Sequence, residues 1–110
     1  MKKEYLNLKD LTGTYHVKVI EILFVTVEGP YTETRTTTGK KYVTCRSLDE
    51  IEEELREHGH FFRTHRAFLV NINEIDFVKK EDGGVIVMKD GSLVTLAKLR
   101  RKEFKLAYNK

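Results

Sequence analysis

The run Ile22-Leu23-Phe24-Val25-Thr26-Val27 constrains the fold more than any other stretch, because its apolar side chains fall on both faces of an extended chain. A strand of this kind leaves β-branched and aromatic surface in water unless something packs on each side. It therefore predicts a central strand covered above and below. After Gly29-Pro30, the segment Tyr31 to Thr37 keeps β-formers but offers almost nothing to bury, which predicts a solvated strand at or near a sheet edge. Thr38-Gly39-Lys40 then turns the chain into a further extended segment, Lys41 to Cys45.

One helix signal stands out. Ser47-Leu48-Asp49-Glu50 reads as a capping box, Leu48, Ile51 and Leu55 recur on one face, and Gly59 supplies a stop, which together predict an amphipathic helix over about 47–58. Phe61 to Asn71 is an anchored loop or short strand with charge at its centre. Asp82-Gly83 and Asp90-Gly91 suit type I′ turns and would join Ile75 to Val78, Val85 to Met88 and Leu93 to Leu96 into an antiparallel meander. The basic run Lys98 to Lys102 leads into a short C-terminal helix with Phe104, Ala107 and Tyr108 facing inward. Residues 1–18 carry N-terminal strands with weaker signals. The expected class is mainly β: several short antiparallel sheets side by side, one clear amphipathic helix and a short C-terminal one.

The length of 110 residues suits a single domain, 1–110, and leaves no room for a second ordinary one. The longest apolar stretch, Val17 to Val27, is broken by Lys18 and Glu21, far from the ~20 residues that span a bilayer, and no leader pattern opens the chain. A cytoplasmic protein without membrane contact is expected. The lone Cys45 cannot form an internal disulfide and reads as a buried structural thiol. Net charge is only +3, but Ser47 to His58 holds six carboxylates against one arginine, a balance of −5 that leaves +8 on the rest. Such asymmetry suits a phosphate-facing surface opposite an acidic back.

The strongest constellation is Arg63-Thr64-His65-Arg66, since arginine donates in pairs to phosphate or to guanine O6 and N7. Two readings of Arg63 and Arg66 stay open: nucleic-acid contacts, or surface arginines pairing with the acidic helix. His65 reads first as a hydrogen-bonded structural histidine and second as a base contact. Lys98, Arg100, Arg101 and Lys102 form either a phosphate-binding group or a solvated basic tail. Two readings also stay open for Tyr31 and Thr32 at the Gly29 to Thr32 loop tip: contacts to a base edge or phosphate, or loop residues with no specific role. Catalysis is not expected: no nucleophile elbow, Walker loop or dinucleotide fingerprint occurs, and His16, His58, His60 and His65 lack metal-ligand spacing. No cofactor is expected either.

From about Val19 to Tyr108 the order of features resembles the LytTR family, the DNA-binding output domain of bacterial response regulators. The resemblance rests on Ile22-Leu23-Phe24-Val25 with Glu28-Gly29-Pro30-Tyr31-Thr32, on Ser47-Leu48, and above all on Phe62-Arg63-Thr64-His65-Arg66-Ala67-Phe68-Leu69-Val70-Asn71. Asn71 followed by Ile75, and Asp90-Gly91 before Val94-Thr95-Leu96-Ala97-Lys98, complete it. Family members often carry Ser-Tyr where this chain has Ala67-Phe68, and Ser-Arg where it has Ala97-Lys98; lysine keeps the cation and loses the bidentate fork.

The resemblance implies loops entering successive major grooves of double-stranded promoter DNA at paired direct repeats. The implied contacts are Tyr31, Thr32, Arg66 and Lys98, with Arg63 as a further candidate, and Asn71 as a structural residue. It also implies an upstream receiver domain and a sensor kinase as partners. No receiver fits in this length, so the chain reads as an excised output domain or a stand-alone member. The competing expectation is a protein-interaction β module in which the strand Tyr31 to Thr37 pairs with a partner.

Overall fold

The computed structural model describes residues 2–79 and 84–109, which hold ten β-strands and two α-helices. A hairpin of β1 (Tyr5–Lys9) and β2 (Thr14–Lys18) leads into β3 (Ile22–Glu28), β4 (Tyr31–Thr36), β5 (Lys41–Thr44) and α1 (Leu48–Leu55). Then come β6 (Phe61–His65), β7 (Phe68–Asn71), β8 (Ile75–Val78), β9 (Val85–Met88), β10 (Leu93–Thr95) and α2 (Arg101–Tyr108). The strands form three antiparallel sheets, ordered β1-β2, β5-β4-β3-β7-β6 and β10-β9-β8. The mainly β class with side-by-side sheets is therefore what the chain adopts.

β3 is the middle strand of the five, and every residue from Ile22 to Thr26 is buried. Its two faces look into two separate cores. Ile22 and Val25 join Leu6, Leu8, Val17, Ile51, Leu55 and Leu69 beneath the hairpin and α1. Leu23 and Phe24 join Val70, Ile86, Met88, Val94 and Phe104 beneath the three-stranded sheet and α2. Two successive residues share a face because the β3–β4 register slips between Ile22 and Phe24, so that Leu23 is the extra residue of a bulge. Asn71 secures this point from the neighbouring strand: its buried Nδ2 donates to Ile22 O at 2.9 Å, and its Oδ1 accepts from Asn73 N at 2.9 Å.

α1 begins as expected. Ser47 Oγ accepts from Glu50 N and donates to the Glu50 carboxylate, Leu48, Ile51 and Leu55 are buried, and the chain leaves through a 3-10 turn (Arg56–His58) and Gly59 at φ 75°.

Four expectations change. β4 is not solvated: Thr32, Thr34 and Thr36 are buried, because Thr36 and Thr34 lie opposite Ile22 and Val25 and so share the sheet face covered by the hairpin and α1. Cys45 is exposed, since the alternation of the edge strand β5 turns Thr44 inward and the next residue outward. The β9–β10 loop is not type I′, which needs positive φ at two central residues. Only Gly91 has it (φ 89°), Gly91 N donates to Met88 O and Met88 N to Ser92 O, the pattern of a three-residue loop ending in a glycine bulge. In α2, Phe104 is buried, but Tyr108 stacks on its ring from the exposed side, with centroids 5.4 Å apart. The Asp82-Gly83 turn lies outside the described residues.

Candidate nucleic-acid interface

Three segments carrying the sequence-nominated residues are neighbours along one end of the molecule. The β3–β4 tip, residues 29–32, is joined to the β6–β7 turn through Val27 N, which donates to Ala67 O at 3.0 Å. That turn is in turn joined to the segment entering α2. A bulge in β6 makes Thr64 the extra residue between Arg63 and His65, and its carbonyl accepts from Ala97 N at 2.7 Å. The order along the edge is tip, Arg66 turn, Lys98 turn.

Arg63 organises the middle of this edge. Its Nη1 lies 2.8 Å from both Asp49 Oδ1 and Glu52 Oε1 on α1, its Nε donates to His65 O at 3.0 Å, and its Nη2 donates to Arg66 O at 2.6 Å. The two carboxylates are three residues apart and so share one helix face. With 18% of its side chain exposed, Arg63 takes the helix-pairing reading, and its guanidinium fork is committed to protein acceptors. Arg46 and Arg56 likewise pair with Glu54 and Glu53. Four of the six carboxylates of this acidic segment are thus paired from within the chain.

The other nominated residues divide in the same way. His65 is half-buried, and its Nδ1 accepts from Ala67 N at 3.0 Å, closing the turn locally. Thr32 is buried and its Oγ1 donates to Arg46 O at 2.8 Å. Arg100 lies 4.8 Å over the Phe62 ring, donates from Nε to Arg63 O at 3.0 Å, and pairs with Glu103. Arg101, at the start of α2, is half-buried. Tyr31, Arg66 and Lys98 are exposed, and among the described residues neither Arg66 nor Lys98 forms an ion pair. A shallow groove of about 300 Å³ runs between the tip and the start of α1, lined by Pro30, Tyr31, Arg46, Asp49 and Arg63 among others.

The edge therefore presents three exposed side chains on turns that are tied to one another, and such a surface can receive an extended anionic partner. Reading the sequence did not reveal the Thr64–Ala97 joint, because it is a backbone contact created by a bulge. The three-residue spacing of Asp49 and Glu52 was a signal for the Arg63 anchor. β4 has no free edge for a partner strand, since β3 and β5 occupy both sides. Among the described residues no three His, Cys, Asp or Glu side chains cluster as a metal site, and no helix is long and apolar enough to cross a membrane.

A sequence model of the family described as the LytTr DNA-binding domain matches residues 12–109. Among solved structures, a LytTr DNA-binding domain described as part of a methyl-accepting/DNA response regulator of Bacillus cereus superposes with a TM-score of 0.82. The two share 22% sequence identity, over 98% of this chain and 99% of that one, which is a likeness of fold. The search of curated proteins found no match.

Proposed function

The chain belongs to the LytTR family of DNA-binding domains, and from that premise we propose that it binds duplex DNA sequence-specifically, as the output domain of a bacterial two-component transcription regulator. In this reading Arg66 and the Tyr31 tip meet base edges in successive major grooves, Lys98 and Arg101 hold phosphates, and Thr32, Arg63, His65 and Arg100 keep those loops in place. The partner is promoter DNA, with paired direct repeats as sites and with a receiver domain and sensor kinase upstream in the whole regulator. The role is one of binding rather than catalysis, carried out in the cytoplasm.

The observation that carries this reading is the contrast between committed and uncommitted cations on one edge. Arg63 is bonded to four protein acceptors and Arg100 to Arg63 O and Glu103, while Arg66 and Lys98 stand exposed on turns those same arginines brace. With the backbone of these turns held in place, only the side chains remain to be ordered on meeting a phosphate or a guanine. The test is selection from a randomised duplex pool followed by sequencing. Enrichment of a defined motif supports the reading; retention of DNA without enrichment leaves only a non-specific basic surface, and no retention at moderate salt refutes it.

A further inference from the structure

We infer that Leu99 is an apolar base contact, packing on the C5-methyl group of a thymine in the major groove; the inference rests on the DNA-reading role proposed above.

Leu99 is 91% exposed. Singly exposed leucines are common and by themselves mean little. This one differs in how its turn is held. The 3-10 turn Lys98–Arg100 is fixed on the preceding side by Ala97 N on Thr64 O. It is fixed on the following side by Arg100, whose guanidinium is bonded to Arg63 O and lies over the Phe62 ring. Leu99 thus stands between two anchored residues on the DNA-facing edge, with little backbone freedom left to lose. The nearby carboxylate of Glu103 is paired with Arg100, and exposed cations flank the leucine, Lys98 before it and Lys102 one helical turn on.

Charge of that sign draws the turn against phosphates and brings the leucine to the groove between them. A leucine has no donor or acceptor, so it can recognise a base only by shape and apolar contact. The thymine methyl is the apolar group that a base pair displays in the major groove. Leu99 would then select thymine at one position without a hydrogen bond, beside the polar readout by Arg66.

The test starts from the duplex recovered by the selection described above, each of whose thymines is replaced in turn by deoxyuridine, which removes only the methyl group. Wild-type protein is expected to lose about fourfold in affinity at one position, the effect of one buried methyl group. Leu99→Ala should bind the parent duplex roughly tenfold more weakly and be indifferent to the methyl at that position. Its denaturant midpoint should match wild type, because the side chain it loses is in water. The inference is overturned if no thymine-to-uracil change weakens wild type, or if every such change affects both proteins alike. It is equally overturned if Leu99→Ala weakens binding only on two-site duplexes, which would assign the leucine to a contact between neighbouring copies. Absence of any enriched motif would instead remove the DNA-reading role itself, and this inference with it.

Discussion

Arg63 Nη2 lies 2.6 Å from the carbonyl oxygen of Arg66, so that a committed arginine holds in place the backbone of an exposed one. The same guanidinium reaches Asp49 and Glu52, which ties the turn to the start of α1.

Arg63→Lys tests that relationship. Lysine retains the charge but not the planar fork that serves two carbonyls and two carboxylates together. The variant is expected to lose about 1 kcal/mol of stability, as the part-buried His65 carbonyl and the exposed Arg66 carbonyl lose their charged donor. DNA affinity should fall more on the selected duplex than on a scrambled one, because the arginine that is misplaced is the one that reads bases. Urea denaturation and binding to selected and scrambled duplexes check both halves.

Asn71 braces the bulge at the centre of the large sheet. Asn71→Ala leaves the Ile22 carbonyl and the Asn73 N–H without their partner, at a cost of about 1–3 kcal/mol. A shift in the denaturation midpoint with unchanged slope is the expected result; a variant as stable as wild type would show that the bulge holds without it.

Cys45 offers a check on the edge strand. Exposed at the end of β5, it should react with a thiol reagent in native protein nearly as fast as in denatured protein. Cys45→Ser should leave stability within about 0.5 kcal/mol, as surface replacements do. Protection of the thiol in the native state would contradict the exposed position.

Asp10 gives the β1–β2 hairpin a pH dependence. The Thr12 hydroxyl first, and the Thr12 and Gly13 N–H groups with it, donate to its carboxylate and hold its pKa below the ordinary value. A carboxyl with a lowered folded-state pKa stabilises the fold above the unfolded value and loses that contribution as pH falls through the folded one. Amide protection in residues 5–18, taken relative to the intrinsic exchange rate at each pH, should therefore fall as the solution is acidified through the aspartate range, and Asp10→Asn should remove that step.

The legibility of these features in the sequence follows their physical origin. Ile22 to Thr26 could be read because burial on two faces demands apolar side chains throughout, and α1 could be read because caps and periodicity are local. The burial of Thr32, Thr34 and Thr36 could not be read, since it depends on which face of β4 lies with Ile22 and Val25 beneath the hairpin and α1. The bulges at Leu23 and Thr64 arise from register between strands and leave no mark in either strand alone. At the candidate site, the sequence nominated three segments that the fold brings side by side but left open which arginines were free. That choice turns on the reach of Arg63 to α1 and of Arg100 to Phe62, contacts between residues 11 to 38 positions apart.

The most direct test of the account is the salt dependence of binding to the selected duplex, compared between wild type and a chain carrying both Arg66→Ala and Lys98→Ala. Both residues are exposed, so the fold should be unaffected. The account predicts affinity lower by roughly tenfold or more, a log–log salt slope shallower by about 1 as the Lys98 phosphate contact is lost, and weaker discrimination against scrambled duplex as Arg66 is lost. Unchanged affinity and slope in a folded double variant would mean that DNA, if bound at all, meets another face of the molecule.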